Sequence, residues 1–171
     1  MTPLRTAALG LAALALAAGA GSAAIPPAAA PAAFPTVGSY DGALFPAEDL
    51  LARGLACNLI AGGLTCYDSP AQATAAGPRP RPGAACHPAL RLWKDAGRSG
   101  NPLALYDTGY WRNLPDSWRN QVSSFSTGCD HAGRIADLPD GGGAQLEGPP
   151  ETSYPVMPAG WDDRADAVYR G

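Results

Sequence analysis

The residues of this chain that could do chemistry are few and widely spaced. His87 follows Cys86 directly, and His131 lies two residues after Cys129. Imidazole and thiolate are zinc ligands, so a Cys2His2 site is conceivable. The cysteine spacings are nevertheless wrong for a structural finger, and an exported chain favours disulfides over zinc thiolates. Glu147 and Glu151 could stand as a glycosidase pair, but no supporting pattern surrounds them. There is no H-E-x-x-H helix and no G-x-S-x-G elbow. The residues therefore point away from an enzyme.

The first residues, MTPLRTAALGLAALALAAGAGSAA, carry one positive charge, an apolar run and small residues at the end. The run is too short to span a membrane and is predicted to be a secretory signal over residues 1–24. A secreted, extracellular product with no membrane span follows. Across all 171 residues the net charge is −3; without the signal there are 11 basic and 15 acidic residues, a single lysine, Lys94, and no basic run. Nucleic acid is excluded as a partner, because phosphate binding needs clustered cations. Abundant Gly and Pro fit turn-rich β structure.

An even number of cysteines, Cys57, Cys66, Cys86 and Cys129, implies two disulfides in an oxidising compartment. Three pairings are possible. Cys57–Cys66 with Cys86–Cys129 is favoured, the first closing a short loop through the turn-prone Ala61–Gly63. The second ties the start of a repeated region to the junction between its copies.

Residues 25–43 are rich in Pro and Ala and read as a leader without a core, disordered or extended. Residues 44–77 hold short helices and a small hairpin closed by Cys57 and Cys66. Pro46–Arg53 has proline in the first turn, Glu48 and Asp49 near the helix N-terminus and Gly54 to end it. Ser69 with Gln72 three residues on is a capping-box spacing that opens an Ala-rich helix ending at Gly77. Residues 78–85 are a stiff proline linker.

Beyond the linker the chain repeats itself. An ungapped shift of 43 residues aligns Leu92 with Ile135, Gly100 with Gly143, Leu103 with Leu146, Trp111 with Tyr154, Pro115 with Pro158 and Trp118 with Trp161. Apolar matches at two-residue steps indicate strands. Each copy, about residues 86–128 and 129–171, can hold four short strands, yet neither buries a face alone.

The late segments of the copies, DSWRNQVSSF and GWDDRADAV, together with an aromatic strand and glycine turn early in the first copy, resemble the β/γ-crystallin family. More narrowly, the chain resembles exported bacterial peptidase inhibitors of that type, a family that includes metalloproteinase inhibitors. The upstream TCYDS segment and short helix resemble a leader of some actinobacterial members. The resemblance implies an all-β fold of two tandem Greek-key units packed as a sandwich over residues 86–171. It also implies a non-enzymatic secreted inhibitor, expected to be monomeric, that docks a rigid loop on an extracellular peptidase. A structural or envelope-associated module is the alternative.

Calcium-binding members of the family carry two Asn/Asp, two free positions, then Ser/Thr-Ser. Calcium needs six to eight converging oxygens. The first copy offers Asn120, Ser123 and Ser124, but Arg119 places a cation at its first position. The second offers Asp162, Asp163 and Asp166, with Ala167 in place of the last serine. The expectation is that these segments form a structural corner, that calcium binding is weak or absent, and that no cofactor is needed. The segment expected to contact a peptidase is 147–160, stiffened by four prolines, with Pro150, Tyr154 and Met157 as candidate contacts.

Overall fold

A computed structural model describes residues 32–80, 82 and 86–171. The signal expected at 1–24, the first part of the leader and positions 81 and 83–85 of the linker lie outside these residues. Among the described residues no helix is long and apolar enough to cross a membrane.

The repeated region builds eight strands. The first copy holds β5 (Leu90–Trp93), β6 (Leu103–Leu105), β7 (Trp111–Asn113) and β8 (Ser124–Ser126); the second holds β9 (Gly133–Ala136), β10 (Gln145–Gly148), β11 (Ser153–Tyr154) and β12 (Ala167–Arg170). Within each copy the first strand pairs antiparallel with both the second and the fourth. The third strand crosses to the other copy's sheet: β7 pairs with β12, and β11 with β8. This exchange ties the copies together, because neither sheet is complete without a strand of its partner copy. Leu90, Leu92 and Phe125 of one sheet and Ile135 and Val168 of the other are buried in a common core with Leu114, Trp118 and Val122. The apolar alternation reflects the two-residue period of a strand that faces a core on one side.

The repeat extends to the backbone. Trp118 N–H donates to Pro115 O and Trp161 N–H to Pro158 O. Leu114 N–H donates to Asp166 O, and Met157 N–H to Ser123 O. These bonds superpose under the same 43-residue shift.

Upstream, β1 (Val37–Tyr40), β2 (Ala43–Pro46), β3 (Ala56–Ile60) and β4 (Gly63–Tyr67) extend the first sheet, whose full order is β11-β8-β5-β6-β3-β4-β1-β2. The second sheet is β10-β9-β12-β7. Helix α1 (Ala47–Ala52) buries Leu50 and Leu51, and α2 (Pro70–Ala76) is capped as the Ser69–Gln72 spacing required, with Ser69 Oγ accepting from Gln72 N–H at 3.3 Å. Both expected disulfides form, Cys57–Cys66 across the β3–β4 hairpin and Cys86–Cys129 between the starts of the two copies.

The end of the supposed leader is a correction. Residues 37–40 are a strand, paired parallel with β4, and Phe34 packs against the core. Asp41-Gly42, both with positive φ, makes the two-residue turn that right-twisted hairpins prefer. The hairpin β3–β4 is no isolated appendage either: β3 pairs parallel with β6, Cys57 to Leu103 through Leu59 to Leu105.

Candidate functional site

The two repeated segments meet. Asn120 and Asp163, equivalent positions, both adopt left-handed backbone, φ 54° and 51°. Asn and Asp tolerate that region better than other side chains. Each donates its N–H across to the other copy: Asn120 to Ala165 O at 2.9 Å, Asp163 to Val122 O at 3.2 Å. The corner is thus a reciprocal clasp between copies. Trp118 lies in the core below it with Lys94 Nζ 5.3 Å from its ring centroid, and Trp161 is half-buried.

The polar side chains of the corner turn toward one another. Ser123 Oγ donates to Asp163 Oδ1 at 3.2 Å. Ser124 is fully buried; its Oγ donates to Asp95 O at 2.7 Å and accepts from Arg98 N–H at 3.1 Å. Arg119 reaches Asp116 at 3.2 Å and Asp166 at 4.0 Å. The nearly buried Asp166 therefore faces a guanidinium, while Asp162 is exposed at the surface. Ser123, Ser124 and one Asp163 oxygen are thus committed to internal partners, whereas Asp162 is open to solvent and Asp166 Oδ1 has only the Arg119 charge at 4.0 Å.

The segment 147–160 is fixed at several points. Glu151 N–H donates to Gly128 O and Thr152 N–H to Thr127 Oγ1, while Thr127 Oγ1 donates to Pro149 O. Tyr154 stacks on Phe125 with ring centroids 4.9 Å apart, and its hydroxyl donates to Glu147 O at 3.2 Å. Met157 is 6% exposed and belongs to the core. One candidate contact is corrected here: Met157 has no surface to offer a partner. Tyr154 is half-buried, one face of its ring on Phe125 where β11 completes the first sheet. Pro150 is exposed. The apolar side chain presented at the crest is Val156, 66% exposed between the two anchored residues. Strand alternation would have placed Val156 on the face of Tyr154; the chain leaves the strand after Tyr154, and the bond from Met157 N–H to Ser123 O turns Met157 inward instead.

The histidines do not build a centre with the cysteines, which are all disulfide-bonded. His87 Nδ1 accepts from Ala89 N–H at 3.2 Å, and its Nε2 lies 3.4 Å from Tyr106 Oη. Burial, and then the neighbouring Arg91 charge, push His87 down to about 4. Among the described residues no group of three His, Cys, Asp or Glu side chains is placed to hold a metal ion. Glu147 pairs with Arg134 at 3.4 Å.

Among solved structures the chain is similar to a crystal structure of a βγ-crystallin from an archaeon, at 13% identity and a TM-score of 0.39, over 52% of this chain and all of that one. No protein-family profile and no curated protein matches it.

Proposed function

We propose that the protein is a secreted, non-enzymatic peptidase inhibitor of the β/γ-crystallin type, built of two Greek-key units. The exchanged third strands and the repeated corner support the crystallin reading. Two disulfides support an extracellular address. The observation that carries inhibition is the segment 149–158. Its backbone is tied to β8 and the following turn, Tyr154 and Met157 anchor it, and Val156 stands out of it into solvent. A loop already held in one shape loses little conformational entropy on docking, which is what a tight inhibitor requires. The contact is then Val156 flanked by the exposed Pro150 turn, entering an apolar side-chain pocket of an extracellular peptidase.

The test is an inhibition assay of the mature protein against secreted metallo- and serine peptidases, repeated with Val156→Asp. Inhibition of at least one peptidase is expected, with loss of about 100-fold or more on burying a carboxylate in an apolar pocket. No inhibition at about 10 µM protein, well above the dissociation constants of tight inhibitors, would leave the structural-module alternative. That alternative is favoured by the corner, whose reciprocal backbone bonds clasp the two copies together. On either reading calcium binding is weak or absent, and no other cofactor is called on.

A further inference from the structure

The outer face of the first sheet carries a row of polar side chains that neither the core nor the contact segment uses. Leu90, Leu92 and Phe125 point inward, so Arg91, Ser126 and Ser153 point out. The register sets them side by side across three strands, Arg91 opposite Ser126 and Ser126 opposite Ser153. They line a cleft of about 540 Å³ whose far wall is the turn bearing Arg98.

Arg98 is anomalous for its place in the repeat. Its backbone is left-handed, φ 59°. The equivalent residue of the second copy is Gly141, φ 78°, where a Cβ would lie 2.2 Å from the Trp111 ring. The residue equivalent to Trp111 is Tyr154 of the second copy, which, instead of covering position 98, stacks on Phe125. Space for a side chain at position 98 is thereby opened, and a long cation fills it in a conformation that glycine would adopt without strain. No ion pair holds that cation among the described residues. Arg91 donates to Thr74 Oγ1 at 3.0 Å and interacts with the Tyr106 hydroxyl, while its buried Nε has no partner. Glu151 is the one carboxylate lining the cleft, and His87 at its other end is held neutral. Two guanidiniums against one carboxylate make a cationic cleft on a chain of net charge −3.

We infer that this cleft binds the oxyanion of a small ligand, a carboxylate or a phosphate, between Arg91 and Arg98 with the hydroxyls of Ser126 and Ser153 as further donors. Guanidinium forks match both anions, and the volume exceeds a bare ion, leaving room for the carbon chain of an organic acid. The inference is independent of peptidase inhibition.

Glutarate and inorganic phosphate are titrated separately into the isotopically labelled full-length mature protein at low salt, following backbone amide shifts. Saturable shifts at Arg91, Arg98, Ser126 and Ser153 are expected with at least one probe, with a dissociation constant of about 1 mM or tighter. The tighter probe identifies the anion class. Arg98→Gly should weaken binding about tenfold or more while leaving Tm unchanged or raised, since the sister copy already uses glycine there. Ser153→Ala should weaken it by a smaller factor. Absence of saturable shifts with both probes, unaltered binding by Arg98→Gly, or a Tm lowered by several degrees in that variant would overturn the assignment; the last outcome would make Arg98 a structural residue.

Discussion

Replacing Tyr154 by alanine should unfold the protein more readily, although this residue lies in the segment proposed to meet a peptidase. Its ring is half-buried, packs on the core and stacks on Phe125 at 4.9 Å with planes 28° apart. Truncating a fully buried large aromatic to alanine costs about 3–5 kcal/mol; half of that for a half-buried ring is about 2 kcal/mol. The stacked pair adds about 1 kcal/mol beyond area. The hydroxyl bond to Glu147 O, partly open to water, adds a few tenths at most. The sum is about 3 kcal/mol. Equilibrium urea unfolding with disulfides intact measures it, as a fall in midpoint at unchanged slope. Val156→Ala, at a 66% exposed position, should stay within about 0.5 kcal/mol of the parent. A Tyr154→Ala loss below about 1 kcal/mol would refute the placement of this ring as a core element.

Three further outcomes are expected. His87 is held neutral by burial and by Arg91, its folded pKa near 4 lying below the ordinary 6.5; stability should therefore be full above about pH 6.5 and decline as pH falls toward 4. His87→Gln should flatten that decline in thermal melts, and an unchanged profile would count against the burial argument. Removing the Cys86–Cys129 bridge, which closes 43 residues, should cost about 4 kcal/mol, against about 2.7 kcal/mol for Cys57–Cys66, which closes 9. Denaturant midpoints of the two double-serine variants give the order, and the reverse order would contradict the loop-entropy account. Calorimetric titration should show calcium bound no more tightly than about 10⁻⁴ M, the weak extracellular range, because Arg119 faces Asp166 and Asp163 bonds Ser123. A micromolar constant abolished by Asp163→Ala would reverse that view.

Local chemistry carried much of this structure into the sequence. The Ser69 cap, the proline start of α1 and the cystine pairs rest on residues near one another in the chain or on a visible repeat. The 43-residue shift brought the strand-forming positions of both copies into view. The Asp41-Gly42 hairpin was also written there, flanked by Ser39-Tyr40 and Leu44-Phe45, but the Pro/Ala-rich stretch before it hid the change in character. What no local pattern encodes is which distant strand lies alongside. The parallel pairing of β3 with β6 joins residues some 45 positions apart, as Cys57 with Leu103 shows. The bond from Met157 N–H to Ser123 O, 34 positions away, likewise decides that Met157 turns inward and leaves Val156 exposed. The left-handed backbone of Arg98 is not legible locally, and only comparison with Gly141 in three dimensions shows it.

The pairing of β3 with β6 also bears on how the chain must be assembled. Leu103, Ala104 and Leu105 of β6 are all buried, and one backbone edge of that strand is satisfied only by residues that leave the ribosome long before it. The early strands thus wait for a late arrival. Should β6 emerge without them, through proteolysis or delayed collapse, it would offer a short, uncharged apolar ladder to any neighbouring copy. In the finished molecule that vulnerable margin has been moved outward to β2, where Pro46 lacks a donor and blunts further growth. The upstream strands thus cover an edge of the repeated region that would otherwise be open to pairing with a neighbouring copy.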